Sequence, residues 1–296
     1  MSARGWAAFA AMSAIWGIPY LFIKIAVDDG VSPIFVSWGR VLLGAAILLA
    51  LAARAGVLGG LRWRWMAVLA VVEIVFPFPL IAAGEQRVTS SLAAIVIACV
   101  PLIVALIALR FDQAERASGR RLAGLLIGLG GVVALVGIDV AGDGRELVGV
   151  GFLIIAAVGY AVGPMVMKTK LGGLDPRASM GGSLAIAAVA LTPFALASPG
   201  RTPSTEALVA IVVLGLVCTA LAFVLFSVLI AEAGPGRATV ITYVNPVVAV
   251  ALGIVVLGEH PGAGAVLGLV LILAGSWLST DGRLPRRRRA AAVPIG

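Results

Sequence analysis

Few side chains in this sequence are able to do chemistry, and most of them lie inside apolar runs. Glu73 stands eight residues beyond Trp65 in a hydrophobic segment, which at 1.5 Å per residue puts it about 12 Å into a hydrocarbon core. A carboxylate at that depth is costly and marks a functional position by default, and burial favours its neutral form. Glu73 is therefore expected to face a central cavity, either as a proton carrier or as the partner of a cationic group on a solute. The plainer alternative is a neutral or arginine-paired residue that ties helices together. Arg40 lies about seven residues below the outer end, residue 33, of the second apolar run, roughly 10 Å deep. There a guanidinium can hold a carboxylate through two parallel hydrogen bonds. Pairing with Glu73 or reaching outward to the interface are its plainer uses. Lys24 and Lys168 stand near helix ends and read mainly as anchors, with Lys24 also a weaker site candidate.

Four polar aromatics recur beside helix breakers. Trp16 and Tyr20 surround Gly17 and Pro19, Tyr160 precedes Gly163-Pro164, and Tyr243 precedes Asn245-Pro246. Core packing suffices to explain any one of them. As a group they point elsewhere, because a proline frees a backbone carbonyl, and such groups are tolerated at membrane depth only against protein or a wet cavity. With Pro19, Pro101, Pro164 and Pro246 as helix breaks, the expected substrate cavity is lined by the first, third, fourth, sixth and ninth spans, with Thr242 and Asn245 adding hydrogen-bonding groups.

Other chemistry is missing. There is no GxxxxGK[ST] loop, HExxH, CxxC or GxGxxG context, and His260 is the one histidine. No metal, cofactor or ATP site is expected. Cys99 and Cys218 lie in apolar stretches and read as small packing residues. An intramembrane enzyme needs a nucleophile and a base, or a carboxylate pair, at one depth; only Glu73 lies mid-membrane, so an enzyme is not expected.

The elements that must hold these residues are helices in lipid. Hydrophobic residues make up 61% of the 296 and charged residues 12%, with a mean hydropathy of +1.12. Soluble chains are nearer half apolar and a quarter charged. Ten segments approach the ~20 residues a crossing needs: 5–27, 33–54, 64–84, 88–110, 121–139, 147–168, 177–198, 206–232, 236–257 and 263–280. The first is long enough to span and reads as an uncleaved helix rather than a signal peptide. With the N-terminus in the cytoplasm, the inner connectors and termini hold 17 of the 22 Lys and Arg, and the outer connectors only Arg87, Arg145 and Arg201. That bias places both termini in the cytoplasm. The run Arg286 to Arg289 reads as stop-transfer charge attracted to anionic lipid rather than a nucleic-acid patch.

The two halves are alike at an offset near 144 residues. Trp16 and Lys24 match Tyr160 and Lys168; Glu115, Gly124 and Gly131 match Glu259, Gly268 and Gly275; Pro101 matches Pro246 with one residue of slippage. Five spans per half is an odd number, so the second half enters from the opposite side, as inverted repeats do. Gly124 with Gly128, and Gly264 with Gly268, have the small-xxx-small spacing of close helix contacts, serving internal packing in preference to a homodimer.

Trp16-Gly17-Ile18-Pro19 with Lys24, Arg40, Pro101, Gly258-Glu259 and the glycines 268 and 275 together resemble the drug/metabolite transporter superfamily, in its EamA-type branch. The resemblance covers nearly the whole chain. It implies an all-α integral membrane fold of ten helices in two repeats, here 1–139 and 147–280 with a basic cytoplasmic tail at 281–296. It also implies a cell-membrane protein that exports or exchanges small metabolites, amino acids or drugs without ATP. One departure is Phe111-Asp112-Gln113-Ala114-Glu115, which lacks the glycine before Glu that the second half keeps at Gly258-Glu259.

Overall fold

A computed structural model describes residues 3–111, 119–198, 200–233 and 241–279; Glu115, Arg116, Gly234-Pro235-Gly236, Arg237 and the tail 281–296 lie outside them. Among the described residues every regular element is helical. In lipid each backbone N–H and C=O must be satisfied within its own segment, and runs of Leu, Ala, Val and Ile do this as helices. In chain order these are α1 (Ala3–Ile15), α2 (Pro19–Asp28), α3 (Pro33–Arg54), α4 (Trp63–Leu69), α5 (Pro77–Glu85), α6 (Ser90–Ile97), α7 (Val100–Phe111), α8 (Arg120–Leu135), α9 (Gly144–Lys170), α10 (Pro176–Ala197), α11 (Thr205–Gly215), α12 (Ala222–Ala233), α13 (Ile241–Leu257) and α14 (Ala263–Ser279). Short π-helical segments occupy Ala70–Val75, Val136–Val140 and Leu216–Leu221.

Helix starts follow the connectors. Ser32 accepts from Phe35 N (3.1 Å), Thr89 from Leu92 N (3.2 Å) and Ser204 from Ala207 N (3.1 Å). Asp143 and Asp175 likewise cap α9 and α10. Each supplies an acceptor to one of the orphan N–H groups of a first turn.

Among the described residues eight helical segments are long and apolar enough to cross a membrane: Gly5–Asp28, Pro33–Arg54, Trp63–Glu85, Ser90–Ile107, Leu122–Val140, Gly144–Lys170, Pro176–Ala197 and Thr205–Leu229. The apolar helices Ile241–Leu257 and Ala263–Leu278 are shorter. Two prolines behave as expected. Pro19 opens α2 after the interruption at Trp16 to Ile18, and Pro101 stands at the start of α7 after the interruption at Ala98 and Cys99. The other two do not break their helices: α9 runs through Pro164 and α13 through Pro246. Leaving the helix would expose several backbone groups to an apolar surround, whereas continuing through proline forfeits one hydrogen bond.

Packing is closest where glycines meet. On α8 and α14, a Cβ at Gly275 would overlap the backbone of Gly124 and Gly128, and one at Gly131 would lie 2.9 Å from Ile272 N. These glycines, with Gly268 against Leu135, are used within the chain. The π segment Ala70–Val75 enters a trough on α9 made by Gly159 and Gly163, which face Val72 and Glu73. The other prominent helix pairings are α3 with α10, α6 with α13, α5 with α9, and α2 with α11. Cys99 and Cys218 are free and buried in the core.

Five connections are tied together at one end of the bundle. Arg201 N donates to Gly30 O (3.2 Å), and Ser204 N to Asp29 Oδ2 (2.9 Å). Arg145 Nη2 donates to Gln86 O (2.7 Å). Asp139 accepts from Gly264 N (3.0 Å) and Ala265 N (2.5 Å), capping α14. Glu259 reaches the start of α6. At the opposite end Arg62 Nη1 donates to Lys170 O (2.6 Å), and Lys170 lies 4.8 Å over the Trp65 ring. Trp63 and Trp65 are exposed there, as interfacial residues are.

Candidate functional site

Arg40 is the centre of the polar interior. It projects from α3 and is 9% exposed. Its Nε donates to Thr219 Oγ1 (2.9 Å), and its guanidinium lies 4.2 Å from the Phe78 ring centroid. Thr219 belongs to the π segment of the eighth crossing segment, and its hydroxyl donates in turn to Leu214 O (2.8 Å). A π turn widens the helix locally and redirects a side chain. Here it delivers a hydroxyl to a buried cation, and Gly44 leaves room for the Thr219 methyl. Among the described residues no carboxylate pairs with Arg40 within 4 Å. The expected alternatives of pairing with Glu73 or reaching for the interface are both replaced by this contact from the second half of the chain.

Two of the expected aromatics join Arg40. Tyr160 on α9 meets Phe78 edge-on with ring centroids 6.5 Å apart, and it is within electrostatic reach of both Arg40 and Glu73. Tyr20 on α2 interacts with Tyr160, Arg40 and Glu85. Glu73 sits in the middle of the π segment Ala70–Val75 with its carboxyl against Gly163. Its Oε2 is buried without a hydrogen-bond partner. The two π segments, Ala70–Val75 and Leu216–Leu221, are of equal length, and Glu73 and Thr219 are the fourth residue of each. Tyr20, Arg40, Glu73 and Tyr160 thus form one cluster, between crossing segments one, two, three, six and eight.

The other expected residues lie elsewhere. Trp16 packs on Phe223 and Phe226, with centroids 6.2 and 4.9 Å away. With its amide nitrogen turned toward the surrounding carbonyls, Asn245 donates to Ile241 O (2.8 Å) and Ser13 O (3.2 Å), tying α13 to α1 beside Gly17. Tyr243 Oη donates to Ser276 O (3.3 Å) on α14. Thr242 is half-buried on α13. Of these residues, Trp16 belongs to a separate apolar group around Met12 and Leu229.

Glu85 escaped the sequence reading, and Lys24 and Glu259 have partners it did not supply. Lys24 Nζ donates to the backbone carbonyl of Glu85 (2.9 Å) and pairs with Asp28 (2.9 Å). Its counterpart Lys168 is exposed. Glu85 is completely buried, and neither carboxyl oxygen has a hydrogen-bond partner. The third apolar run expected from sequence, 64–84, stops one residue short of it, whereas the 23 residues Trp63–Glu85 make one helical crossing segment. Glu259 accepts from Ser90 N (2.7 Å), Ser91 N (2.9 Å) and Ser91 Oγ (2.5 Å). The Gly258-Glu259 pair has a local cause. Gly258 adopts φ +66°, a left-handed turn after α13, and this aims the next side chain across the bundle at the α6 N-terminus.

Comparison with known proteins agrees with this architecture. The sequence model of the EamA-like transporter family matches residues 3–137 and again 147–280. An uncharacterized transporter of Archaeoglobus fulgidus is 26% identical over 276 residues, covering 90% of this chain and 93% of that protein. The Escherichia coli K12 protein named "Uncharacterized inner membrane transporter YedA" is 29% identical over 96% of this chain and 93% of its own length. The same organism's "Probable amino-acid metabolite efflux pump" is 24% identical over 94% and 95%. A solved crystal structure shares the fold, with a TM-score of 0.66 at 22% identity over 95% of this chain and 98% of the other. The doubled family match, the apolar helices and the near full-length relatives agree, and the chain belongs to the EamA-like transporter family.

Proposed function

We propose that this chain is a secondary transporter of a zwitterionic, amino-acid-like metabolite, working by alternating access between two inverted five-helix repeats. The observation that carries this reading is the buried Arg40 guanidinium, which is held by a hydroxyl and a ring but by no carboxylate among the described residues. A buried cation in that condition is matched to an anionic ligand, and arginine's fork suits a carboxylate. Glu73, within electrostatic reach of Tyr160, offers an acidic group to an ammonium, or takes up a proton. Tyr20 and Tyr160 supply the wall between them.

Support for the repeat comes from internal correspondence. The π segments at 70–75 and 216–221 are of equal length and start 146 residues apart (216 − 70), close to the offset of the sequence repeat. Helix contacts exchange as a two-fold demands: the third crossing segment packs on the sixth as the eighth packs on the first, while the second meets the seventh and the fifth the tenth. The two shorter helices α13 and α14 complete ten crossings in this reading, and the Lys and Arg bias puts both termini in the cytoplasm. The five linked connections then form the outer face, closed in this conformation. Export is the direction taken from the relative named as an efflux pump.

The test is flux of a panel of labelled amino acids in proteoliposomes. Arg40→Ala should lower flux at limiting solute by about tenfold or more, ~1.4 kcal/mol of lost binding, and Glu73→Gln should abolish flux or remove its pH dependence. Flux by the purified wild type with none of the panel, or flux unchanged in Arg40→Ala, would sink the proposal.

A further inference from the structure

The carboxyl of Glu85 is the least satisfied group among the described residues. Its side chain is wholly buried at the end of α5, and both oxygens are without hydrogen-bond partners. Lys24, one helix away, spends its ammonium on the Glu85 backbone carbonyl and on Asp28, not on the carboxyl. A carboxylate anion in that setting would stand bare of both water and hydrogen bonds, which costs several kcal/mol or more. The acid form needs far less. We propose that Glu85 is a proton-binding site, protonated in the conformation seen here and exchanging its proton when the Glu259 contact to α6 is released. The proposal rests on the transport reading above and adds to it a residue outside the Arg40 and Glu73 pair.

The surroundings supply both halves of such a cycle. Within electrostatic reach of Glu85 are Tyr20, Lys24 and Asp28 on α2, Arg40 on α3, and Glu259 on the connection after α13. Glu73 and Tyr160 lie further along the π segment and α9, and α6 contributes the uncharged Ser90 and Ser91. While Glu259 sits on the N–H groups of Ser90 and Ser91, five residues beyond Glu85, the closed end of the bundle covers the site. Release of that latch admits water. The Glu85 O–H bond then breaks, the proton passes to water, and the carboxylate left behind has Lys24 within one helix to balance it. Return of Glu259 to α6 expels the water and requires the proton back. One proton moves per opening and closing, and no other reactant is needed.

The experiment is infrared difference spectroscopy of the full-length protein in lipid nanodiscs during a pH titration, without added solute. Wild type should show a protonated-carboxyl carbonyl band that fades as pH rises; Glu85→Gln should lack that component, and Glu73→Gln should keep it. A band identical in wild type and Glu85→Gln would overturn the proposal. In case Glu85→Gln does not fold, wild type alone is treated with dicyclohexylcarbodiimide, which reacts with protonated carboxyls in apolar surroundings. An adduct mapped to Glu85 by mass spectrometry, weakening with rising pH, is the expected result; none on Glu85 at any pH would refute it. Neither measurement depends on a transported solute, so a failed flux assay leaves this result standing and the converse also holds.

Discussion

Glu85 and Glu259 lie near the same end of the bundle, both at least nine-tenths buried, yet they live under opposite conditions. Glu259 accepts three hydrogen bonds from the first turn of α6. Glu85 accepts none. The difference lies in what each side chain faces. A helix N-terminus has unsatisfied N–H groups and a partial positive charge, so it welcomes a carboxylate. The interior flank of α5 offers helix backbone already paired with itself, and a lysine turned to other acceptors. Burial alone says little about a carboxyl; the supply of donors decides whether it is a structural tie or a group held in reserve.

That contrast is open to attack by substitution. The largest effect is expected at Glu259: Glu259→Met removes the acceptor for two backbone N–H groups and a hydroxyl, and should cost about 2–3 kcal/mol, seen as a clear fall in the thermal midpoint in nanodiscs. Asp139, which caps α14 through Gly264 and Ala265, is the milder case of the same arrangement. Asp139→Ala should cost about 1–2 kcal/mol in the same assay, and an unchanged midpoint would show that the cap adds nothing. Glu85→Met should leave the midpoint unchanged or raise it, because an orphaned polar group is exchanged for an apolar one of similar size. A fall as large as that of Glu259→Met would erase the distinction between the two sites.

The smallest effect is expected at a half-buried carboxylate with a partner. Asp175 bonds Arg177 through both oxygens, at 3.0 Å to Nε and 2.8 Å to Nη2, and this holds its carboxyl below the usual aspartate range. A lowered folded value means stability that is present above the ordinary aspartate range and lost as pH falls through the depressed one. The difference in midpoint between wild type and Asp175→Asn should therefore be slight at neutral pH and vanish in strong acid. A difference that grew on acidification would show the sign to be wrong.

Much of the fold is legible in the order of residues. The crossing segments begin and end within a few positions of the apolar runs, because lipid thickness and polar connectors fix them. The interruption at Trp16-Gly17-Ile18 and the break before Pro101 are written locally as well. Pro164 and Pro246 misled because a proline's effect depends on what the surrounding helix would lose by stopping. In the site, Arg40, Tyr20, Tyr160 and Glu73 stand out as polar groups at depth. The role of Lys24 and the burial of Glu85 do not, since each depends on a residue about sixty positions away.

By itself the sequence determined the class of solvent, the approximate limits of the apolar crossing segments, and which rare polar residues lipid would not tolerate without reason. Those are consequences of composition and of the hydrogen bonding that every backbone in an apolar medium must complete. Only the tertiary structure decided which of those residues meet. Thr219 reaches Arg40 from 179 positions along the chain, and Glu259 reaches Ser90 from 169. No local pattern encodes a contact between helices that distant. It is set by which glycine faces let them approach, and by which turn of helix is left with donors to give.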